Sequence, residues 1–367
     1  MPDYYIGLIS GTSMDGIDAV LVAFTDNSMV LHATHAYAYP DEFRDQLRQS
    51  ISSPDACGLD DLGELDRWTG ECFRDAALEL IGESTIDPDR IVAIGSHGQT
   101  VRHRPDAERP FSLQIGDAAT IAAGTGITTV ADFRRSDIAV GGQGAPLTPP
   151  FHDWLFRRPG MNRVVLNIGG IANVTVLPAD DGPVKGFDTG PGNTLLDAWI
   201  KEQRDLAYDA EGRWAEGGSA IEDLLDRFMA DDYFDRAPPK STGFEHFNLG
   251  WLRDFSIDDH EPRDLQATLS ELTARTVAAA IERHAPATEE VFVCGGGAHN
   301  TDLLRRLAGY LSNAKLASTL DAGLHPDWVE AAAFAWLAMR ATNNLSGNLP
   351  SVTGASRKAV LGAIHSP

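Results

Sequence analysis

Apolar runs alternate with glycine-rich polar stretches along this chain. Ile6–Ile9 and Ile17–Phe24 are apolar runs on either side of the octet GTSMDGID, residues 11–18. Short apolar runs bounded by turn-forming residues predict buried strands. The pattern therefore predicts a strand, a glycine-rich loop and a second strand at the start of the chain.

The same arrangement returns in the second half of the sequence. Arg163–Asn167 and Ile171–Leu177 predict strands on either side of a turn at Ile168–Gly170. Further on, the predicted strand Val291–Cys294 enters the hexapeptide GGGAHN, residues 295–300. A helix is predicted directly after it, with the asparagine of the hexapeptide as its N-cap. The repetition indicates two related lobes.

Helical spacing of apolar residues predicts helices between these strands, among them one at residues 60–81. Strands that alternate with helices predict an α/β protein. The glycine- and proline-rich segment Gly141–Pro150 is the expected linker at the junction of the lobes. We expect an N-terminal lobe of residues 1–135, to which residues 350–367 return, and a C-terminal lobe of residues 136–349.

The charge balance removes two classes of partner. The 367 residues include 30 Lys and Arg against 53 Asp and Glu, a formal net charge of −23. Nucleic acid and anionic membranes are not expected partners, because both need clustered basic residues.

The three cysteines form no CxxC pair. No apolar run approaches the roughly 18 residues of a membrane span, and no signal-peptide pattern is present, so the expected location is the cytoplasm.

The octet GTSMDGID has two interpretations. Its glycines, with Thr12 and Ser13, supply the backbone N–H groups and hydroxyls of an anion cradle. Asp15 and Asp18 would repel a phosphate unless Mg²⁺ lay between them. The alternative is a plain hairpin turn. A Walker A loop is excluded, because no Gly-Lys-Ser/Thr follows.

Two further glycine-rich stretches suit a nucleotide. NIGGIANVTV, residues 167–176, predicts a second cradle, and GGGAHN suits a base or a phosphate. A Rossmann dinucleotide site is not predicted, because Asn300 stands where a third glycine is needed.

FDTGPGN, residues 187–193, carries the sharpest candidate for chemistry. An aspartic protease needs two such carboxylates sharing a proton, whereas this chain has a single Asp-Thr-Gly. The remaining interpretations are that Asp188 is a general base on a glycine-rich turn, or that it caps a helix at Asn193–Ile200.

Other polar side chains are candidate ligand contacts. In DFRRSDIA, residues 132–139, Arg134 suits a carboxylate-bearing or polyhydroxyl ligand, although a surface ion-pair cluster is the alternative. His97 in GSHGQT and Glu330 in a first helical turn are ligand contacts or structural residues. No HExxH or Cys/His cluster predicts a preformed metal site.

Together these motifs resemble the anhydro-N-acetylmuramic acid kinases, within the superfamily of actin, the heat-shock chaperone ATPases and the sugar kinases. The segments that carry the resemblance run from Ile6 to Trp336 and are GTSMDGID, GSHGQT, QIGD, ADFRRSDIAVGGQGAPLTP, NIGGIANVTV, GFDTGPGN, CGGGAHN and VEAAAFAWLA. The resemblance implies an α/β, two-lobed actin-like or sugar-kinase-like fold. Each lobe would be a mixed sheet flanked by helices, with the active site in the interlobe cleft.

The resemblance also implies an activity and its residues. Water would open the 1,6-anhydro bond of 1,6-anhydro-N-acetylmuramic acid while O6 takes the γ-phosphoryl group of ATP, with Mg²⁺, in cell-wall recycling. Asp188 would be the base. The implied ATP-binding residues are Gly11, Thr12, Ser13, Met14, Asp15, Gly16, Ile17, Asp18, Asn167, Gly169, Gly170, Gly295, Gly296 and Gly297. The implied substrate-binding residues are His97, Arg134, Asp137, Gly190 and Glu330.

Two other functions remain open at this point. A kinase for levoglucosan, a 1,6-anhydro sugar without the lactyl ether, would differ in whether an arginine meets a lactyl carboxylate. A non-enzymatic ATPase switch would need a separate peptide-binding domain, which the sequence does not indicate. The sequence leaves a homodimer open as well, and a small-molecule sugar with ATP is the expected set of partners.

The charge of −23 generates a prediction about salt. Like charges repel most at low ionic strength, and the screening length falls to about 3 Å at 1 M salt. The melting temperature is therefore expected to rise between dilute buffer and molar KCl, as measured by differential scanning calorimetry. A flat or falling curve would show that repulsion among the acidic residues does not limit stability.

Overall fold

The computed structural model describes residues 3–11, 14–25, 28–52 and 57–367, without the side chain of Ser52. The strands, in chain order, are β1 Tyr4–Ile9, β2 Gly16–Phe24, β3 Met29–Ala38, β4 Ile91–Ser96, β5 Gln99–Arg104, β6 Phe111–Ile115, β7 Thr129–Ala131, β8 Arg163–Ile168, β9 Ile171–Leu177, β10 Lys185–Pro191, β11 Glu290–Cys294, β12 Lys315–Ser318 and β13 Ala363–His365.

Helices connect and flank these strands. In chain order they are α1 Asp41–Ser52, α2 Leu59–Glu83, α3 Ala118–Thr125, α4 Phe133–Ala139, α5 Pro149–Phe156, α6 Thr194–Arg204, α7 Arg213–Glu216, α8 Glu222–Met229, α9 Asp232–Asp235, α10 Leu249–Arg253, α11 Pro262–His284, α12 Thr301–Tyr310, α13 Val329–Thr342 and α14 Pro350–Thr353. Asn300 caps α12 as predicted, because its side chain accepts from the Leu303 amide at 3.0 Å.

The chain folds into two compact units, each with one main sheet. The first unit comprises Met1–Leu155 with Trp328–Pro367, and its sheet has the order β13-β7-β4-β1-β2-β3. The second unit comprises Phe156–Asp327, and its sheet has the order β10-β9-β8-β11-β12. The mixed α/β class is therefore confirmed.

The two sheets share one topology in five strands, and the first sheet has β13 as an extra edge strand antiparallel to β7. In the first, β1, β2 and β3 are antiparallel in sequence order, and β4 and β7 then add in parallel on the other side of β1. In the second, β8, β9 and β10 repeat this, with β11 and β12 added in parallel beside β8. The carboxyl ends of the parallel strands share one edge of each sheet, which is where α/β proteins commonly bind ligands.

Each unit has its own apolar core. In the first, α1 and α2 cover one face of the sheet and bury Phe43, Leu47, Phe73 and Leu80 against Ile6, Leu8 and Leu21. In the second, α11 and α12 cover the sheet. A separate aromatic-rich core there contains Trp199, Phe228, Tyr233 and Phe247.

Glycines let α13 lie directly on the first sheet. An ideal Cβ on Gly7 of β1 would lie 1.8 Å from the carbonyl oxygen of Ala331, and one on Gly95 of β4 would lie 2.1 Å from that of Phe334. The helix side of the contact is alanine-rich, with the sequence VEAAAFAWLAMRAT. Because the helix begins at Val329, Glu330 lies in its first turn, next to the residue that contacts Gly7.

The predicted elements are confirmed, and the predicted domain boundaries need correction. The strands at the two glycine-rich loops, the strand at 291–294 and the helix at 60–81 all lie within two residues of their predicted ends. The first unit, however, extends to Leu155 rather than residue 135, and resumes at Trp328 rather than residue 350.

Hydrogen bonds and packing explain these boundaries. The linker candidate Gly141–Pro150 belongs to the first unit, because Gln143 donates to the carbonyl of Thr353 at 2.9 Å. The chain re-enters the first unit at Trp328, earlier than predicted, because α13 packs on β1 and β4.

Where the active site lies relative to the two units stays a prediction. Within the described residues, no helix is long and apolar enough to cross a membrane.

The contact under α13 predicts the effect of a single methyl group. Gly95→Ala places Cβ against backbone, so it is expected to lower the free energy of unfolding by roughly 1–3 kcal/mol, measured by urea denaturation. Gly63→Ala, in α2, is the matched control because no described atom lies within 4 Å of its ideal Cβ. It is expected to stabilise by about 0.5–1 kcal/mol. Equal stability of the two variants would contradict the proposed close contact.

Candidate functional site

Polar residues gather where the parallel strands of the first sheet end. β1 leads into Ser10, β4 into His97, and β7 into Asp132 at the start of α4. The His97 amide donates to the Leu8 carbonyl at 3.0 Å, so the two strand ends are tied together. Because α4 follows β7 directly, its Arg134 reaches the same edge.

The buried His97 contacts the half-buried Arg134. Arg134 Nη2 lies 2.8 Å from His97 Nε2, and its Nη1 donates to the Gly144 carbonyl at 2.9 Å. Burial, followed by the charge of Arg134, holds the pKa of His97 well below its usual range. Since a guanidinium only donates, Nε2 of the neutral ring accepts and Nδ1 carries the proton.

Glu330 acts on the same arginine. Burial lowers the pKa of Arg134 to about 10, and the opposing influence is the negative charge of Glu330, which raises it. The structure thus brings three predicted substrate-binding residues, His97, Arg134 and Glu330, to one place. A planar cation beside a carboxylate and a neutral imidazole offers both donors and acceptors to a polyhydroxyl ligand.

The other charged side chains of DFRRSDIA bind groups of the protein itself. Arg135 pairs with Asp132 at 3.5 Å on the surface, as the ion-pair interpretation expects. Asp137 is fully buried and accepts from the Gly144 amide, Asn348 Nδ2 and Thr353 Oγ1 at 2.7–2.8 Å. Both of its oxygens are therefore engaged within the first unit, and this geometry makes Asp137 a brace for the segment that positions Arg134.

The segment Gly11–Asp18 joins two antiparallel strands, with Ile9 paired opposite Asp18. Thr12 and Ser13 lie outside the described residues. Ile17 is buried in the core and the half-buried Met14 packs against that core, so both side chains contribute to packing. An ideal Cβ on Gly16 would lie 2.3 Å from the Tyr37 carbonyl oxygen, so strand packing already requires this glycine.

Glycine motifs of the second unit converge on the turn after β8. The amides of Gly192 and Asn193 donate to the carbonyls of Gly170 and Gly169, each at 2.9 Å. An ideal Cβ on Gly192 would lie only 2.4 Å from the Gly169 carbonyl oxygen. FDTGPGN therefore packs directly on NIGG.

The GGGAHN turn closes on the same strand end. An ideal Cβ on Gly295 would lie 2.3 Å from Asn167 Oδ1, and one on Gly297 would lie 2.3 Å from Ile168 Cγ2. At Gly296 the nearest atom is 3.8 Å away, and at Gly169 it is 3.7 Å away. Gly295 and Gly297 thus allow close packing, whereas Gly296 and Gly169 leave space beside the backbone that a phosphate could occupy.

Asp188 lies in β10, opposite Asn173 of β9, where the pairing becomes irregular before Gly190. Such irregularities re-aim a side chain out of the regular alternation. An ideal Cβ on Gly190 would lie 2.7 Å from the Phe234 ring, so the turn leaves no room there for a side chain. Thr273 of α11 braces the turn from behind, because its hydroxyl lies 3.1 Å from the carbonyls of Pro191 and Gly192.

Three hydrogen bonds fix Asp188 itself. Its amide donates to the Lys240 carbonyl at 3.1 Å, and its carbonyl accepts from the Tyr233 hydroxyl at 2.9 Å. The Thr242 amide donates to Oδ2 at 3.0 Å. The helix-cap interpretation is wrong, since α6 begins at Thr194 and the Asp188 carboxylate bonds Thr242 instead.

The surroundings of Asp188 favour its neutral form. Burial raises the pKa of Asp188 from 3.8 to about 7; the Thr242 hydrogen bond and the charge of Lys240 lower it, and Glu245 raises it. The residue keeps partial contact with solvent while protein atoms crowd the carboxylate. A carboxylate of this kind is a stronger base than an exposed one and still reaches water.

Several contacts of the site carry no local sequence signal. Gln99 Nε2 donates to the Gly11 carbonyl at 3.3 Å, which ties GSHGQT to GTSMDGID. Tyr233 and Thr242 come from a segment about fifty residues after Asp188, and sequence separation hides them. Only the position of Gln99 inside a candidate motif could have pointed to it. No three His, Cys, Asp or Glu side chains in the described parts of the chain are placed to hold a metal ion.

Comparisons with known proteins give one consistent result. The sequence model of the family described as anhydro-N-acetylmuramic acid kinase matches residues 3–367. A relative of that name from Shewanella sediminis is 51% identical over 367 residues, covering 99% of this chain and 98% of the relative. One from Coxiella burnetii is 49% identical over 363 residues, covering 98% and 97%.

Solved structures are more distant. The activator of the 2-hydroxyisocaproyl-CoA dehydratase from Clostridium difficile with bound ADPNP has 13% identity and a TM-score of 0.48, covering 93% of this chain and 96% of its own. A ROK family glucokinase from Streptomyces griseus, in complex with glucose and AMPPNP, has 13% identity and a TM-score of 0.39, covering 92% and 99%. The likeness is too distant to carry an argument.

The raised pKa of Asp188 predicts a pH-dependent stability. Between pH 4 and pH 7 the native carboxyl keeps a proton that the unfolded chain releases, so this group's contribution to stability falls as pH rises. Asp188→Asn removes the effect. Its stability relative to the wild type is expected to grow by up to about 4 kcal/mol between pH 4 and pH 8, measured by urea unfolding.

Asp181→Asn serves as the control, because Asp181 is an exposed carboxylate of the same unit. It gives the effect of losing an exposed carboxylate at each pH, against which the Asp188→Asn values are compared. A constant difference for Asp188→Asn would show that Asp188 titrates like an exposed side chain.

Proposed function

Because this chain belongs to the anhydro-N-acetylmuramic acid kinase family and has its activity, we propose that Asp188 is the base that activates the attacking water. The reaction opens the internal 1,6-anhydro bond of 1,6-anhydro-N-acetylmuramic acid with water and phosphorylates O6 from ATP. The products are N-acetylmuramic acid 6-phosphate and ADP, in the recycling of cell wall.

The environment of Asp188 is the main support for its role as the base. Its pKa of about 7 matches a neutral working pH, where a general base both remains substantially ionised and takes a proton effectively. The Thr242 amide holds Oδ2, and among the described residues none donates a hydrogen bond to Oδ1. The second oxygen is thus available to a water molecule.

One base is sufficient for ring opening and phosphoryl transfer. Water donates a proton to Asp188 while its oxygen forms a bond to C1 of the sugar. The C1–O6 bond breaks, and O6 leaves with its electron pair. That oxygen attacks the γ-phosphorus of ATP, and ADP departs. Because O6 already carries developing negative charge, it needs no base of its own.

Glycine-rich turns are the proposed phosphate contacts. Phosphoryl transfer depends on positioning and on charge neutralisation, and backbone N–H groups supply both. The space beside Gly169 and Gly296 supports this role in the second unit. In the first unit the exposed Gly11 and Asp15 lie on the turn after β1. Mg²⁺ would neutralise phosphate charge, and Asp15 and Asp18 are carboxylates of a type that fits it.

Arg134, His97 and Glu330 are the proposed sugar contacts. The 2.8 Å contact between Arg134 and His97, and the charge of Glu330 near that arginine, support a preformed polar group. Asp137 and Gly190, predicted as sugar contacts, are better explained as supports: one braces Arg134's segment, and the other makes room for Phe234.

Asp188→Asn tests the base directly. The amide keeps the shape but cannot accept the proton, so turnover is expected to fall about 10²–10⁴-fold, measured as sugar-dependent ADP release. Sugar and ATP binding should persist, because the lost interaction belongs to the transition state. In ¹⁸O-water the wild-type enzyme is expected to place the label on C1 and none in the phosphate.

Asp181→Asn, assayed in parallel, controls for loss of a surface charge, and levoglucosan controls for the sugar. Label in the phosphate, or near-normal turnover by the Asp188→Asn variant, would overturn the assignment of the base.

A further inference from the structure

The Thr242 side chain is an unexplained polar group beside the proposed base. Its hydroxyl oxygen is shielded from solvent and has no hydrogen-bond partner among the described residues. A shielded hydroxyl without a partner is unfavourable, and native structures normally satisfy such groups with protein or ordered water. Its amide already donates to Asp188 Oδ2 at 3.0 Å. Thr242 thus binds the carboxylate through its backbone, while its hydroxyl has no partner among the described residues.

Thr242 is also held firmly in that place. The Asp188 amide donates to the carbonyl of Lys240, two residues before Thr242. The backbone and the side chain of Asp188 are therefore both hydrogen-bonded to residues 240–242. Lys240 Nζ in turn donates to the carbonyls of Tyr233 and Phe234 at 3.2 and 3.3 Å. The fully buried Tyr233 donates to the Asp188 carbonyl, so Asp188, Lys240 and Tyr233 are linked to one another by hydrogen bonds.

We propose that the Thr242 hydroxyl positions the water that Asp188 activates. The inference rests on the proposed role of Asp188 and names a further residue for the same step. A water molecule has two protons: one is donated to Asp188 Oδ1 and the other to Thr242 Oγ1. With both protons fixed, an oxygen lone pair is directed at C1. The proton on the Asp188 side transfers as the O–C1 bond forms, while the Thr242 hydroxyl keeps its own proton throughout.

The test compares Thr242→Val with Thr242→Ser in the full-length enzyme. Valine keeps the shape and the amide that bonds Asp188 but loses the hydroxyl, whereas serine keeps the hydroxyl. Misplacing a reacting group by about 1 Å can lower a rate by 10²-fold, so kcat is expected to fall about 10- to 100-fold for valine. Serine should recover kcat to within a few-fold. The KM for the sugar and for ATP should be unchanged in both.

Thr288→Val is the matched control, because Thr288 is a buried threonine of the same unit whose hydroxyl is bonded to the Ala285 carbonyl. Melting curves of all variants report folding, and Thr242→Ala replaces the valine variant if that one unfolds. A rise in the sugar KM without loss of kcat would overturn the proposal, because it would place the hydroxyl on the sugar instead. Equal kcat loss for valine and serine, or wild-type kcat for valine, would overturn it as well.

The double variant Asp188→Asn/Thr242→Val separates this inference from the proposed function. If both residues act on one water, the double variant is no slower than Asp188→Asn alone, because orientation gains nothing without the base. Multiplying losses would overturn the shared water. If Asp188→Asn itself turned over normally, the proposed base would fail. If Asp188→Asn were slow and Thr242→Val normal, only the role of Thr242 would fail.

Discussion

Backbone-to-backbone contact at glycine is the constraint on which the rest of this structure depends. In the first unit, α13 lies so close to β1 and β4 that a methyl group on Gly7 or Gly95 would enter the helix backbone. In the second, Gly192 presses on the Gly169 carbonyl and Gly295 on Asn167. These four contacts lie on parallel strands or close to where such strands end. At these positions a side chain larger than that of glycine would force the backbone apart next to the candidate functional groups.

This constraint changes what a glycine-rich motif means. Gly16 is required by the neighbouring strand and Gly297 by Ile168, whereas Gly169 and Gly296 have open space beside them. A motif that suggests phosphate binding thus contains two kinds of glycine. One kind brings secondary-structure elements together, and the other leaves the space a ligand needs. Only a structure separates them, since both kinds have the same letter in the sequence.

The strands, the long helices and the repeated topology could be predicted, because hydrophobic runs and turn residues are local signals. The domain boundaries could not, since they depend on α13 packing across the first sheet and on Asp137 reaching Asn348 and Thr353 over two hundred residues away. The same limit applies to the site. His97, Arg134, Glu330 and Asp188 stand in recognisable motifs. Tyr233 and Thr242 reach Asp188 from an ordinary-looking segment, and no local pattern marks them.

The single Asp-Thr-Gly of this chain fits a reaction that needs one base. Opening a strained internal bond makes the leaving oxygen its own nucleophile toward phosphorus, so only the water must lose a proton before transfer. Burial that raises the pKa of Asp188 to about 7 would strengthen the proposed base, and the Thr242 amide holds its Oδ2 in a hydrogen bond. The same burial makes stability fall as pH rises from about 4 to about 7. A less buried carboxylate would recover that stability, and it would also be a weaker base.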